Sequence, residues 1–237
     1  MPLRRLWFAV PVALVVAATA GAAAWWFFGR ETNSLATNAP AVPADLASTA
    51  APGDVLAGGA RTFRIIAERS EAAYFVDEKL AELPLPSKAK GSTHAIAGEF
   101  HLTATGLAAD APSRFTVDLR TLKSDRAMRD RRVQNQGLET ATYPTATFTA
   151  TGVTPFDPEA PEGEEQSLQL TGTLDLHGVQ REVTWDVKAR RSGDVITALA
   201  TTTFKFADFN IPVLNIAGFV SVQDDVTLQV QVVAQAV

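Results

Sequence analysis

The side chains able to do chemistry in this 237-residue chain are few and scattered. Its histidines are His94, His101 and His177, and it has no cysteine, so thiolate nucleophiles, thiolate metal sites, disulfides and a lipid-modified Cys anchor are excluded. A metal centre needs at least two imidazoles converging with carboxylate support. His101 instead shares the polar face of an apolar-polar repeat with Glu99 and Thr103, and His94 stands beside a loop. His177 precedes a glycine at a turn, where an imidazole either bonds turn backbone or makes a polar contact at a barrel mouth. No G-x-S-x-G elbow is present, and no serine sits at a strand-to-helix turn beside a base. Glu162, Glu164 and Glu165 fall in residues 154–166, a Pro- and Glu-rich stretch that reads as a solvated acidic loop. These residue types predict no enzyme, no cofactor and no metal. A catalytic alternative would require clustered titratable groups in a cleft, and the spacing assembles none. Arg129, Asp130, Arg131 and Arg132 form the densest charge cluster. It clasps an anionic head group such as a diphosphate, or else Arg129 and Asp130 pair locally while Arg131 and Arg132 are solvated.

Strands position these residues. In residues 168–176 Leu168, Leu170, Leu174 and Leu176 alternate with Gln169, Thr171, Thr173 and Asp175, the period of a half-buried strand. His177-Gly178 breaks the alternation and Val183, Trp185 and Val187 resume it, which predicts a hairpin. The same period recurs at residues 96–104, 114–119, 145–151, 195–206 and 227–233, with weaker segments at 63–67 and 72–76. Pro84 and Pro86 make residues 79–93 read as a loop. Ser124 or Asp125 as a cap and Gly137 as a stop predict one short polar helix between them. The apolar residues 207–220, interrupted by Pro212, cross or close one end. Seven or eight such strands describe an all-β antiparallel barrel or sandwich. A barrel of about eight strands either fills with its own side chains or holds one apolar ligand.

Residues 6–28 run without a charge, long enough to span a bilayer, with Trp7 at one end and Trp25-Trp26 at the other. Arg4 and Arg5 precede the run, so residues 1–30 are expected to be a cytoplasmic tip and single-pass transmembrane anchor, with the remaining chain extracytoplasmic. A cleaved signal peptide, with Ala18-Thr19-Ala20 as the A-x-A-like site, is the competing expectation. Residues 31–60 are rich in Ala, Pro, Thr, Ser and Asn, the composition of a disordered linker. That leaves residues 61–237 as the folded domain. The net charge of −5 and the absence of an accumulated basic face exclude nucleic acid as a partner.

Several pieces of residues 61–237 resemble the YceI-like family, the lipocalin-like polyisoprenoid-binding barrels of bacterial envelopes. Gly172-Thr173-Leu174-Asp175-Leu176-His177-Gly178-Val179 is similar to its G-x-L-T-L-H-G-V strand-turn-strand. Met128-Arg129-Asp130, then Tyr143-Pro144, Ala146 and Phe148, resemble its R-D helical segment and Y-P-x-x-x-F strand, and Gly98-Glu99-Phe100 its early G-x-F strand. The family's Asp and His-Ser before the first inward strand are replaced by Glu68-Arg69-Ser70-Glu71, and its late Asn-Arg by Ala207-Asp208-Phe209-Asn210. The resemblance implies an extended lipocalin-like barrel whose lumen takes an isoprenoid chain. The expected lining is Phe100, Phe115, Val117, Met128, Phe148, Leu174, Trp185, Phe204 and Phe206. The expected partner is an isoprenoid lipid or quinone-like amphiphile near the cell membrane. Self-association into a homodimer is left open, and a filled, non-catalytic structural module of the envelope is the alternative.

Overall fold

Apolar residues at every second position give strands with one inward face, and those faces close on one another. The computed structural model describes residues 33–46, 59–80, 87–213 and 220–237. The strands are β1 (Arg61–Ile65), β2 (Glu71–Leu80), β3 (Ser87–Thr93), β4 (Ile96–Thr103), β5 (Gly106–Leu107), β6 (Ser113–Asp118) and β7 (Lys123–Ser124). They continue, after helix α1 (Ala127–Arg132), with β8 (Thr145–Thr154), β9 (Gln166–Leu176), β10 (Val179–Ser192), β11 (Val195–Lys205) and β12 (Val220–Ala236). The order β1-β4-β6-β8-β9-β10-β11-β12 returns to β1 through the pairs Phe63 with Ala236 and Ile65 with Ala234. This is a closed antiparallel barrel of eight strands, and closure leaves those strands no free edge among themselves. β2 pairs with the first part of β12, and β3 and β7 extend the sheet beyond it.

The β9–β10 hairpin forms at the predicted place. Val179 pairs with Leu176, and His177 and Gly178 between them both have positive φ, 53° and 73°. Positive φ at both central residues is the geometry that matches a two-residue turn to the strand twist. Within β8 the register against β9 shifts between Ala150 and Gly152. That bulge changes which parity faces inward, so Val153 continues the inward series Ala146, Phe148, Ala150.

The predicted loop over 79–93 gives way to strand at both ends, with β2 running to Leu80 and β3 starting at Ser87. Pro84 and Pro86 lie in residues 81–86, outside the described residues. The short helix is present and continues into one wider turn, Val133–Gly137. Its start is not held by a Ser124 or Asp125 cap: Arg126 holds the cap position, and Ser124 instead donates its N–H and Oγ hydrogens to Asp130 at 2.8 and 2.6 Å. The span over residues 6–28 lies outside the described residues. Among those described, no helix is long and apolar enough to cross a membrane.

The expected disordered linker is corrected over residues 34–46, which are laid along the outside of the barrel. The Gln229 amide exchanges two hydrogen bonds with the Ala36 backbone, at 2.9 and 2.8 Å. Lys188 Nζ donates to Thr37 O, Ala39 N donates to Glu165 Oε2, and Thr197 Oγ1 donates to Pro40 O. Under this strap the outward-facing Thr197 and Gln229 are only 0% and 4% exposed. Buried polar groups demand partners, and here the strap backbone supplies them. Composition missed this because the anchoring side chains lie more than a hundred residues away in sequence.

At the strap's far end Arg69 grips the Asp45 carboxylate with two bonds, 3.0 and 2.6 Å, and this hydrogen bonding holds Asp45 below its ordinary pKa of 3.8. A depressed folded-state pKa stabilises above the unfolded value and is lost as pH falls through the folded one. The grip is therefore expected to be intact at neutral pH and to release only below the ordinary carboxylate range. Arg69→Gln should reproduce the released state at pH 7, with new protease cleavage around residues 43–46 and none in the barrel strands. Unchanged cleavage in that variant would show that Asp45 does not hold the strap.

Candidate functional site: the barrel lumen

The inward face of every barrel strand is apolar, and two packed clusters line the interior. One gathers Phe63, Ile65, Ile96, Leu102, Ile196, Val232 and Ala234, and the other Leu119, Leu122, Phe148, Leu174, Leu176, Trp185, Val187, Phe209 and Ile211. They do not fill the barrel. A cavity of about 460 Å³ runs between them, within the size range of small-molecule sites. A chain of aromatic rings runs from the packed Phe63 into its wall: Phe63 to Phe100 at 5.3 Å, Phe100 to Phe115 at 6.0 Å, Phe115 to Phe148 at 6.3 Å and Phe148 to Trp185 at 5.8 Å. The last step crosses β9 at Gly172, where a Cβ would lie 2.7 Å from Phe148 Cζ. A glycine there makes room for the Phe148 ring.

All nine residues singled out from the sequence border this cavity. Phe148, Leu174 and Trp185 are buried in its wall, and Phe100, Phe115, Val117, Phe204 and Phe206 are half-buried along it. Met128 is the exception in kind. It stands on α1 at the rim and is 61% exposed, so it belongs to the mouth and not to the inner lining. Its helical setting gave no parity by which to judge direction. The segment after β11 supplies Phe206, Ile211 and Pro212 to the same end, as expected of an end-closing stretch.

The two ends differ in charge chemistry. At the far end Arg191, 14% exposed, donates to Pro158 O at 3.3 Å and lies 3.5 Å from Glu162, whose other oxygen accepts the Gly193 N–H at 2.6 Å. Arg190 pairs with Glu165 at 3.0 Å and Arg61 with Asp194 at 2.8 Å. The acidic stretch is thus not a solvated loop: Glu162 and Glu165 fasten it to β10, and Phe156 packs into the barrel interior. Arg191 was readable in advance, because it continues the inward series Trp185, Val187, Ala189. At the helical end Arg126, Arg129 and Arg132 border the cavity. Arg129 pairs with Asp125, and among the described residues Arg131 and Arg132 have no ion pair or hydrogen-bonded side-chain partner. Local pairing and free cations therefore coexist in this one cluster.

The histidines do not converge. His94 Nδ1 meets Ser70 O at 2.6 Å and His101 Nδ1 meets Thr62 Oγ1 at 2.9 Å. His177 bonds across the turn, not within it, with Nδ1 at 3.1 Å from Phe209 O and Nε2 at 3.2 Å from Glu139, under the Tyr143 ring at 4.6 Å. It ties the segment after β11 to the hairpin. Among the described residues no group of three or more His, Asp or Glu is placed to hold a metal ion.

The model of the YceI-like domain matches residues 63–234, nearly the whole barrel. This chain belongs to the YceI-like family. A UPF0312 protein of Vibrio vulnificus is 28% identical over 171 residues, covering 64% of this chain and 84% of that protein. Protein YceI of Escherichia coli O157:H7 is 36% identical over 80 residues, covering 33% and 38%. Among solved structures, BcnA of Burkholderia cenocepacia superposes with a TM-score of 0.55 at 20% identity, over 72% of this chain and 99% of that one. A polyisoprenoid binding domain from Saccharophagus degradans, implicated in plant cell wall breakdown, superposes with a TM-score of 0.57 at 20% identity, over 74% and 98%. At that identity the likeness is one of fold. The strap lies outside the family match.

Proposed function

We propose that this YceI-like protein holds an isoprenoid lipid or quinone-like amphiphile in its lumen, extracytoplasmically, on a single-pass anchor formed by residues 6–28. The observation that carries the reading is the unfilled apolar cavity bordered by seven of the eight barrel strands, all but β1, and by β2. An extended hydrocarbon needs such a wall and little else, because each buried methylene contributes about 0.8 kcal/mol without directional contacts. The asymmetry of the ends orients it. Cations at the far end are matched by carboxylates, whereas Arg131 and Arg132 at the mouth are not, so a polar or anionic head sits at the mouth and the tail points inward. The solved polyisoprenoid binding domain of the same fold adds support.

The full chain, purified with its native membrane lipids and extracted with solvent, should release one polyprenyl or quinone species per chain by mass spectrometry. An envelope module without a ligand would release only bulk lipid, in proportions that do not follow the protein.

A further inference from the structure

The strap has a direction. Ala36 is held at Gln229, which pairs with Thr201 of β11, while Pro40 is held at Thr197 of the same strand. Asp45 then reaches Arg69, between β1 and β2. From Ala36 to Pro40 the strap therefore runs antiparallel to β11, with Ala36 on the side of the mouth.

That end is unevenly charged. On the α1 side Lys123, Arg126 and Arg131 are exposed and Arg132 is half-buried, around the exposed Met128. The carboxylates among them are engaged, Asp125 with Arg126 and Arg129, and Asp130 with Ser124. Across the rim Lys205 is matched by Asp224 and Asp225. Among the described residues, the α1 side of this end combines cations without an ion pair, Arg131 and Arg132, with a protruding apolar side chain, Met128. A basic residue near an anionic lipid surface is attracted to it, and a methionine can enter the head-group layer.

We propose that the α1 side of the mouth docks on the anionic bilayer, so that the lumen opens onto the lipid surface. The proposal rests on the reading of residues 6–28 as an anchor. A mouth held against the bilayer lets an apolar tail pass from lipid to lumen with little of its length in water, which is where an isoprenoid is least soluble.

The absence of native cysteine makes single labels clean. Full-length Ala127→Cys, on exposed α1, and Ala109→Cys, exposed at the far end, would carry a fluorophore in nanodiscs containing a head-group spin-labelled lipid. With phosphatidylglycerol, quenching at position 127 should exceed that at 109 several-fold, and the excess should fall with phosphatidylcholine. Equal quenching at the two ends, or more at 109, overturns the docking. An excess indifferent to lipid charge overturns the anionic-surface assignment. A chain not recovered with the discs overturns the proposal together with the anchor, and a lipid released from the lumen alongside failed quenching shows that only the docking is wrong.

Discussion

Gly172→Ala is expected to lower the barrel's stability by about 3 kcal/mol. The backbone of Gly172 has no positive φ, so the residue is not there for conformational freedom. It is there for space: a Cβ would meet Thr149 O at 2.2 Å, Phe148 Cζ at 2.7 Å and Ala150 Cα at 2.9 Å. Two of those atoms are backbone of β8, and moving them breaks the β8–β9 pairing that includes Phe148 with Leu174. The third is the ring that crosses β9 to reach Trp185. Overpacking that cannot relax through a flexible side chain costs about 3 kcal/mol or more. For a domain of this size that is a fall in melting temperature of roughly 10 °C. Gly163→Ala is the control, because its Cβ would meet nothing within 4 Å and only the left-handed φ of 77° is penalised, about 1 kcal/mol. Thermal unfolding by circular dichroism separates the two. A Gly172→Ala protein melting with the wild type would mean that β8 and β9 yield more easily than their contacts imply.

Ala198→Trp should abolish lipid binding while the fold survives. Ala198 borders the cavity and packs against both interior clusters, so it stands at the waist of the lumen. An indole there enters open volume instead of packed wall, which spares the strands and divides the cavity. Displacing about four methylenes of a tail forfeits about 3 kcal/mol, on the order of a hundredfold in affinity. Thr203→Trp, on the exposed outer face of the same strand, should leave the lipid in place. The readout is the polyprenyl or quinone species recovered per chain. Recovery unchanged in Ala198→Trp would place the lipid outside the barrel, and lost melting cooperativity would show that the indole had been forced into packed wall.

Local pattern carried most of the fold. The period-2 alternation located β4, β6, β8, β9, β11 and β12 because side chains on a strand point to opposite faces whatever the strand pairs with. His177-Gly178 announced its hairpin for a similar reason, since the two-residue turn depends on those residues alone. The strand members of the lining set were legible on the same ground, as inward parity is a property of each strand, whereas Met128 on α1 and Phe206 after β11 had no such parity. The chemistry of the ends was not legible. Glu162 and Glu165 read as solvated because nothing near them in sequence is basic, and their partners Arg190 and Arg191 arrive only when β9 and β10 pair.

Alternation along each strand by itself determined that this chain makes antiparallel strands with one apolar face, and its motifs determined the family. Whether those faces meet or stand apart was decided only by the tertiary structure. The width of a barrel depends on how many strands close and with what stagger, and no single strand encodes that number. The strap was decided at the same level. Its partners Gln229, Thr197 and Lys188 are ordinary polar outward residues until β10, β11 and β12 lie side by side, and only then do they form a row that a passing backbone can bond.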